Sequence, residues 1–351
     1  MRRLPEPDGT PEFLALRALK LGDLLVAVPA LHAIRRERPD HRLVLAVPGW
    51  LEPIADLVGG LDVLWPTPGL DHPLGIEPGR LDTVMNLHGN GPESRGVLEQ
   101  LEARVRLGHE SPGWAGPAWQ DGVLERHRWA RLATEHGMPA DQDDVRIDQP
   151  AVPSPAPGAV VVHVGAFYAS RHWPVDRFAA VVRAFRDDGH RVVLTGSAAE
   201  RPRALEVAAA AHLGDDEVRE LVLAGRIDLA EMAALVAEAA LVVSVDTGAA
   251  HLASAYGTPS VVLFGPAPVE EWGPPEAGPH VVLTDARLRV GDTFGAEPDP
   301  ALLAVTAADV VAAGRGVLRV VPAAVAAPGV AGAGPAGAGA GPGVAGAGAD
   351  R

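Results

Sequence analysis

The chain has no cysteine among its 351 residues, so neither a disulfide nor a thiolate-held metal belongs to its design. It also has no surplus of positive charge. Thirty Lys and Arg stand against 45 Asp and Glu, a formal net charge of −15. That balance argues against nucleic acid and against general adhesion to a membrane surface, while leaving room for a local basic groove that holds phosphate. No uninterrupted apolar stretch is long enough to span a bilayer. Met1-Arg2-Arg3 runs into Leu4-Pro5-Glu6-Pro7 and not into an apolar segment, so no signal peptide is read and a cytoplasmic protein is expected. Several motifs are missing too. There is no GxxxxGK[ST] phosphate loop, no GxGxxG after the first strand and no GxSxG elbow, which disfavours P-loop NTPases, dinucleotide dehydrogenases and serine hydrolases in turn. Thirteen histidines include no HExxH pair, and no metal site is read.

What is present is globular: 47% hydrophobic and 21% charged residues, over a length that suits two domains. Apolar runs read as strands at 13–17, 43–47, 63–65, 83–87 and 105–107, with helical spacing over 23–36 and 123–136 and a Pro/Gly loop over 66–80. The Pro-rich stretch 149–158 reads as a stiff connector and domain boundary. Beyond it, strands are expected at 159–164, 192–194, 221–223, 241–245 and 260–264. Helices are expected at 177–187, 201–211, 229–239, 248–255 and 306–319. Strand–helix alternation with continuous apolar strands predicts parallel sheets covered on both faces. Residues 323–351 are almost all Ala, Gly, Pro and Val without periodicity and are expected to be disordered.

Two short blocks fit one another. Gly22-Asp23 follows the first strand, and Asp246-Thr247-Gly248-Ala249-Ala250-His251 follows a later one. Strand ends that feed helix N-termini collect anionic ligands in such sheets. Asp23 reads either as a helix N-cap or as a general base. Arg17 and Lys20 would meet phosphate or simply be solvated. Ser170, Arg171 and His172 precede Trp173-Pro174, a loop cation suited to a diphosphate or else a surface arginine. Glu200 follows another strand end, where an acid accepts hydrogen bonds from ribose or favours a helix start. Thr247, Gly248 and His251 would hold phosphate at a helix start. Tight helix packing would explain the nearby alanines, but not Asp, Thr and His together.

In this order, Leu21-Gly22-Asp23 with Pro29-Ala30-Leu31, then Arg171-His172-Trp173-Pro174, then Asp246 to His251, Gly257-Thr258-Pro259 and Phe264-Gly265-Pro266 resemble glycosyltransferase family 9, the lipopolysaccharide heptosyltransferase-like enzymes. The resemblance runs from about residue 12 to 320. It implies an α/β fold of GT-B architecture: two Rossmann-like parallel-sheet domains (1–148 on the acceptor side, 159–322 for the nucleotide sugar) facing across a cleft, with the last helix returning toward the first domain. It implies an inverting transferase that moves a heptose or related hexose from a nucleotide-diphosphate sugar, ADP-heptose-like, to a glycan, glycolipid or small-molecule hydroxyl. No metal or other cofactor is implied, and peripheral contact with the inner membrane face is compatible with it. On matching positions, Asp23 would be the base and Arg171, standing where lysine is usual, would hold the leaving diphosphate. Gly22 and Lys20 would lie on the acceptor side, and His88 and Asn90 near acceptor and donor sugar. Thr247, Gly248 and His251 would line the phosphates, Glu200 the ribose, and Asp246 a sugar hydroxyl or the helix start, with Ser170 a further substrate-binding residue in the Arg171 loop. A sugar-nucleotide epimerase of the same fold and a non-catalytic nucleotide-sugar binder are the rival readings.

Overall fold

The structure, a computed structural model, describes residues 4–320; the expected disorder of the Ala/Gly/Pro tail falls outside the described residues. Among the described residues ten strands form two five-stranded parallel sheets. The first contains β1 (Glu12–Leu16), β2 (Arg42–Val47), β3 (Val63–Pro66), β4 (Thr83–Asn86) and β5 (Val105–Leu107), in the order β3-β2-β1-β4-β5. The second contains β6 (Val160–His163), β7 (Val192–Thr195), β8 (Leu241–Val245), β9 (Ser260–Leu263) and β10 (His280–Leu283), in the order β10-β9-β8-β6-β7. Central strands such as Glu12–Leu16 and Leu241–Val245 are buried at every residue, which is why they read as continuous apolar runs.

Helices α1 (Leu21–Val26), α2 (Val28–Glu37), α3 (Glu52–Val58), α4 (Pro92–Glu99) and α5 (Glu125–Glu135) accompany the first sheet. Helices α6 (Val175–Asp187), α7 (Arg201–Ala210), α8 (Asp215–Leu221), α9 (Leu229–Ala237), α10 (Gly248–Tyr256), α11 (Val269–Trp272), α12 (Pro300–Leu303) and α13 (Ala307–Val320) accompany the second. One apolar cluster runs without interruption from Phe13 and Leu45 in the first sheet, through Leu24, Leu31 and Trp129, to Leu252, Val242 and Val161 in the second. The two sheets therefore share a core. No helix among the described residues is long and apolar enough to cross a membrane.

Three expectations need correction. The helix expected over 23–36 is two helices that meet at Ala27, because Pro29 has no N–H with which to continue the ladder. The strand expected at 221–223 is reduced to a single bridge between Val222 and Leu194. The preceding Asp215, Asp216 and Glu217, with Glu217 accepting from the Gly214 N–H at 2.9 Å, start a helix that consumes Leu221. The last helix does not return to the first sheet: α13 packs along α6 and against β8, β9 and β10, and Arg315 pairs with Asp188 at 2.7 Å.

Strand order places the functional candidates. In the first sheet the chain builds outward from β1 and then jumps to β4 on its other side; in the second it jumps from β7 across β6 to β8. Crevices open at the carboxyl ends of strands where the order reverses. The ends of β1 and β4 deliver Arg17 to Asp23 and His88, and those of β6 and β8 deliver Gly165 to Arg171 and Asp246.

Candidate active site

Asp23 is not a helix cap. Lys20 occupies that position in extended conformation, and Asp23 stands at the third residue of α1, its Oδ2 accepting the Lys20 N–H at 3.1 Å. Its carboxylate is partly exposed. Beneath it lies Arg17, 1% exposed and thus neither a solvated charge nor an open phosphate ligand. The Arg17 Nε donates to the Asp23 main-chain oxygen at 2.8 Å, and its Nη2 stands 3.5 Å from Asp23 Oδ1. Its guanidinium also lies 4.6 Å from the Trp129 ring centre. His88 follows β4, with its N–H donating to Asn86 Oδ1 at 3.0 Å. Burial, helped by the Arg17 cation, pushes its imidazole down to about 4, so it is neutral near pH 7. Asn90 Oδ1 accepts from Arg95 Nη1 at 3.2 Å. The Lys20 ammonium reaches toward the second sheet and lies 3.4 Å from the Phe167 ring centre.

On the other side, a tight turn over Ala169–Arg171 carries Arg171 toward the end of β8. Its Nη1 donates to the Asp246 carbonyl at 3.0 Å and lies 3.3 Å from Asp246 Oδ2, while its Nε is buried without a partner. Asp246 is 4% exposed, and its Oδ1 lies 3.8 Å from His251 Nε2. Burial nevertheless outweighs Asp246 and Asp23 and holds the His251 imidazole below its ordinary value, hence neutral. Thr247 is the extended cap residue of α10, and its Oγ1 lies 2.8 Å from Ser244 Oγ. Gly248 is the first residue of the helix. Glu200 Oε2 accepts the Ser197 N–H at 2.6 Å, and the carboxylate presses on Gly165, where a Cβ would come 2.2 Å from Oε2.

Ser170 departs from expectation. It is 1% exposed and its hydroxyl donates to the Thr293 carbonyl at 2.9 Å, so it ties the 293–295 loop to the turn and is spent before any ligand arrives.

The two groups meet directly. Gly22 packs on His251, and Gly248 packs on Leu21, whose Cδ2 would lie 2.7 Å from a Cβ there. Arg126 Nη1 donates to the Gly273 carbonyl and Arg146 Nη1 to the Tyr256 carbonyl, each at 2.7 Å, so each bonds α5 or its following loop to the second sheet's side. Asp23, His88, His251, Asp246 and Arg171 thus share one electrostatic neighbourhood. Sequence reasoning missed Glu125 and Trp129 on α5, which packs against α1 and α2 and brings both residues to Arg17. The run Glu125-Arg126-His127-Arg128 reads only as a polar helix. Among the described residues no group of three or more His, Asp or Glu side chains is placed to hold a metal ion. A basin of about 490 Å³ lined by Arg183, Arg186, His190 and His212 lies elsewhere on the second half and has no connection with these residues.

The family model described as glycosyltransferase family 9 (heptosyltransferase) matches residues 129–287. Over 154 residues the chain is 34% identical to lipopolysaccharide heptosyltransferase 1 of Pseudomonas aeruginosa, covering 42% of this chain and 41% of that protein. The match thus spans about two fifths of that relative's length. The solved E. coli ADP-heptose lipopolysaccharide heptosyltransferase II superposes with a TM-score of 0.69 at 19% identity, over 88% of this chain and 98% of that one. E. coli heptosyltransferase WaaC with ADP superposes at 0.61 and 18% identity, over 77% and 92%. The two parallel-sheet α/β units have the GT-B architecture of these neighbours.

Proposed function

We propose that this chain, whose residues 129–287 match the glycosyltransferase family 9 (heptosyltransferase) model, is a heptosyltransferase-like inverting glycosyltransferase using a nucleotide-diphosphate sugar. The observation that carries the reading is the contact of Gly22 with His251, an imidazole that feels both the Asp23 carboxylate of one sheet and the Arg171–Asp246 pair of the other. A base and a cation at the two ends of one crevice are what displacement at an anomeric carbon requires. The acceptor hydroxyl gives its proton to Asp23, and its oxygen forms the new bond to the anomeric carbon from the face opposite the leaving group. The bond from that carbon to the diphosphate oxygen breaks, and the electron pair leaves on the diphosphate. Arg171 and the first N–H groups of α10, behind Thr247 and Gly248, stabilise that charge. Neutral His251 donates its ring N–H to a phosphate-side oxygen without adding charge. Diphosphate competes with Asp246 for the Arg171 guanidinium, so donor binding loosens this pair.

ADP-sugars are the first donors to try, because the E. coli neighbour WaaC was solved with ADP. Incubation with ADP-heptose and a panel of glycan and glycolipid acceptors, with ADP release and product anomer read by NMR, tests the proposal. Release that depends on an acceptor, with inversion, supports it. Isomerisation of the donor with no acceptor present would establish the epimerase instead.

A further inference from the structure

Arg17 is placed as if for two partners. Its Nη2 lies 3.5 Å from Asp23 Oδ1 and 3.8 Å from Glu125 Oε2, and it is buried with no hydrogen-bond partner of its own. The rest of the guanidinium is fixed. Nη1 donates to the Leu87 carbonyl at 2.5 Å, Nε is committed to the Asp23 main chain, and one face lies against Trp129. Glu125 is fixed as well, with Oε1 accepting from Arg128 Nε at 2.7 Å and Oε2 from Trp129 Nε1 at 2.9 Å. A cation buried this deeply needs an anion beside it at every stage of a reaction. Asp23 alone would serve only while it is ionised.

We propose that Arg17 is a positioning residue for glycosyl transfer, shared between Asp23 and Glu125 so that it aims the ionised Asp23 carboxylate and is balanced by Glu125 once Asp23 holds the proton. The inference rests on reading Asp23 as the base. As the acceptor O–H bond breaks, its proton moves to an Asp23 carboxylate oxygen while the hydroxyl's electron pair goes into the new glycosidic bond. Asp23 is then neutral, and the guanidinium keeps Glu125 as its counter-charge. Glu125 therefore lowers the cost of protonating Asp23, and Arg17 raises it. Other groups face the carboxylate. The Lys20 N–H bonds it, while the Lys20 ammonium is turned to Phe167 and Tyr168. His88 and His251 flank it as neutral imidazoles.

The test is made on the full chain carrying Arg17→Lys, Arg17→Gln or Glu125→Gln. Amidation of Asp23 by a water-soluble carbodiimide with glycine ethyl ester, followed by peptide mass spectrometry from pH 3 to 8, reports its protonation, since the protonated carboxyl is the reactive form. This needs neither donor nor acceptor, so it stands or falls apart from the transfer reaction. Glu125→Gln is expected to move the Asp23 midpoint down by about one pH unit, Arg17→Gln to move it up by about one unit or more, and Arg17→Lys to stay close to the parent. Where turnover is measurable, the acid limb of kcat should follow in the same directions with the donor KM unchanged. An ion pair with a structural role alone would lower the melting temperature of the variants and leave the midpoint still. That result, or equal shifts in the same direction, overturns the proposal. Should Arg17→Gln fail to fold, an unmoved midpoint in Glu125→Gln overturns it alone.

Discussion

A Cβ on Gly22 would lie 2.7 Å from Cδ2 of His251, so the first helix of one sheet meets the helix at the other sheet's switch point through a glycine. Space, not backbone conformation, is the reason for the residue. Gly22→Ala must displace either the imidazole or the whole of α1, at a cost of about 1–3 kcal/mol. It should also lower turnover, because Asp23 moves with α1. Gly96→Ala, inside α4 where nothing lies within 4 Å of the added carbon, should be neutral or stabilise by up to about 1 kcal/mol. Thermal unfolding of both variants checks the contrast, and equal melting temperatures would remove the close approach as the explanation.

Much of this arrangement is legible in the residues, and the remainder fails for identifiable reasons. Leu14 to Leu16, Val160 to Val162 and Leu241 to Val245 announce parallel strands because both their faces are covered, and Gly22, Asp23 and Asp246 announce the crevice because strand ends at a switch point must be polar to meet a ligand. The break at Ala27 was visible in Pro29 and outweighed by the apolar spacing on either side. The strand His280–Leu283 is only partly buried at the sheet edge, so its apolar signal is weak. Ser170 lies in a plausible ligand-binding loop, but the direction of its hydroxyl is decided by Thr293, far along the chain. Arg17 and Glu125 meet only because α5 packs against α2 and α1, which no local pattern announces.

Acid should unfold the protein from a specific window. His109 is 2% exposed, has no hydrogen-bond partner for either ring nitrogen and sits 4.8 Å from the Trp119 ring centre. Burial, with Arg131 and Arg128 adding repulsion, pushes it down to about 4, and His88 is depressed to a similar value. In the unfolded chain an imidazole titrates near 6.5. Between those values the unfolded chain binds more protons than the folded one, so this stabilisation is whole above about 6.5 and is lost as pH falls through 4. Melting temperature should be flat above neutrality and decline below about pH 6. His109→Phe removes one of these groups and should make the decline shallower; the same slope in both proteins would assign acid sensitivity elsewhere.

Glu200 presses its carboxylate on Gly165 at the end of β6, beside the mouth of the crevice, while accepting the Ser197 N–H. If it also receives the ribose hydroxyls, Glu200→Ala should weaken donor binding by about 1–3 kcal/mol, the worth of a lost hydrogen bond to a charged group. Calorimetry with ADP-heptose measures this directly. The same titration with a chelator should give the same affinity if, as proposed, Arg171 and the start of α10 meet the phosphate charge. Unchanged binding in the variant would leave Glu200 as a helix-start residue only.

The decisive substitution is Asp23→Asn. An Asn oxygen still accepts the Lys20 N–H, so the start of α1 survives, but the side chain no longer takes up a proton. Turnover should fall by about 10²–10⁴-fold, the usual contribution of a general base, with donor affinity nearly unchanged. Stability should fall as well, by about 1–3 kcal/mol, because the buried Arg17 guanidinium loses one of its two anions. A residue that merely ordered the helix start would show neither the loss of turnover nor the link to Arg17. Arg171→Ala should lower turnover and donor affinity together, since the diphosphate is charged before and after transfer, and it leaves Asp246 without its cation. Arg171→Lys restores a charge but not the planar fork, and should keep appreciable activity because lysine is the usual residue at this place in the family pattern. An Asp23→Asn protein that turns over at the parent rate would move the base to another group while leaving the crevice and its diphosphate end as they are.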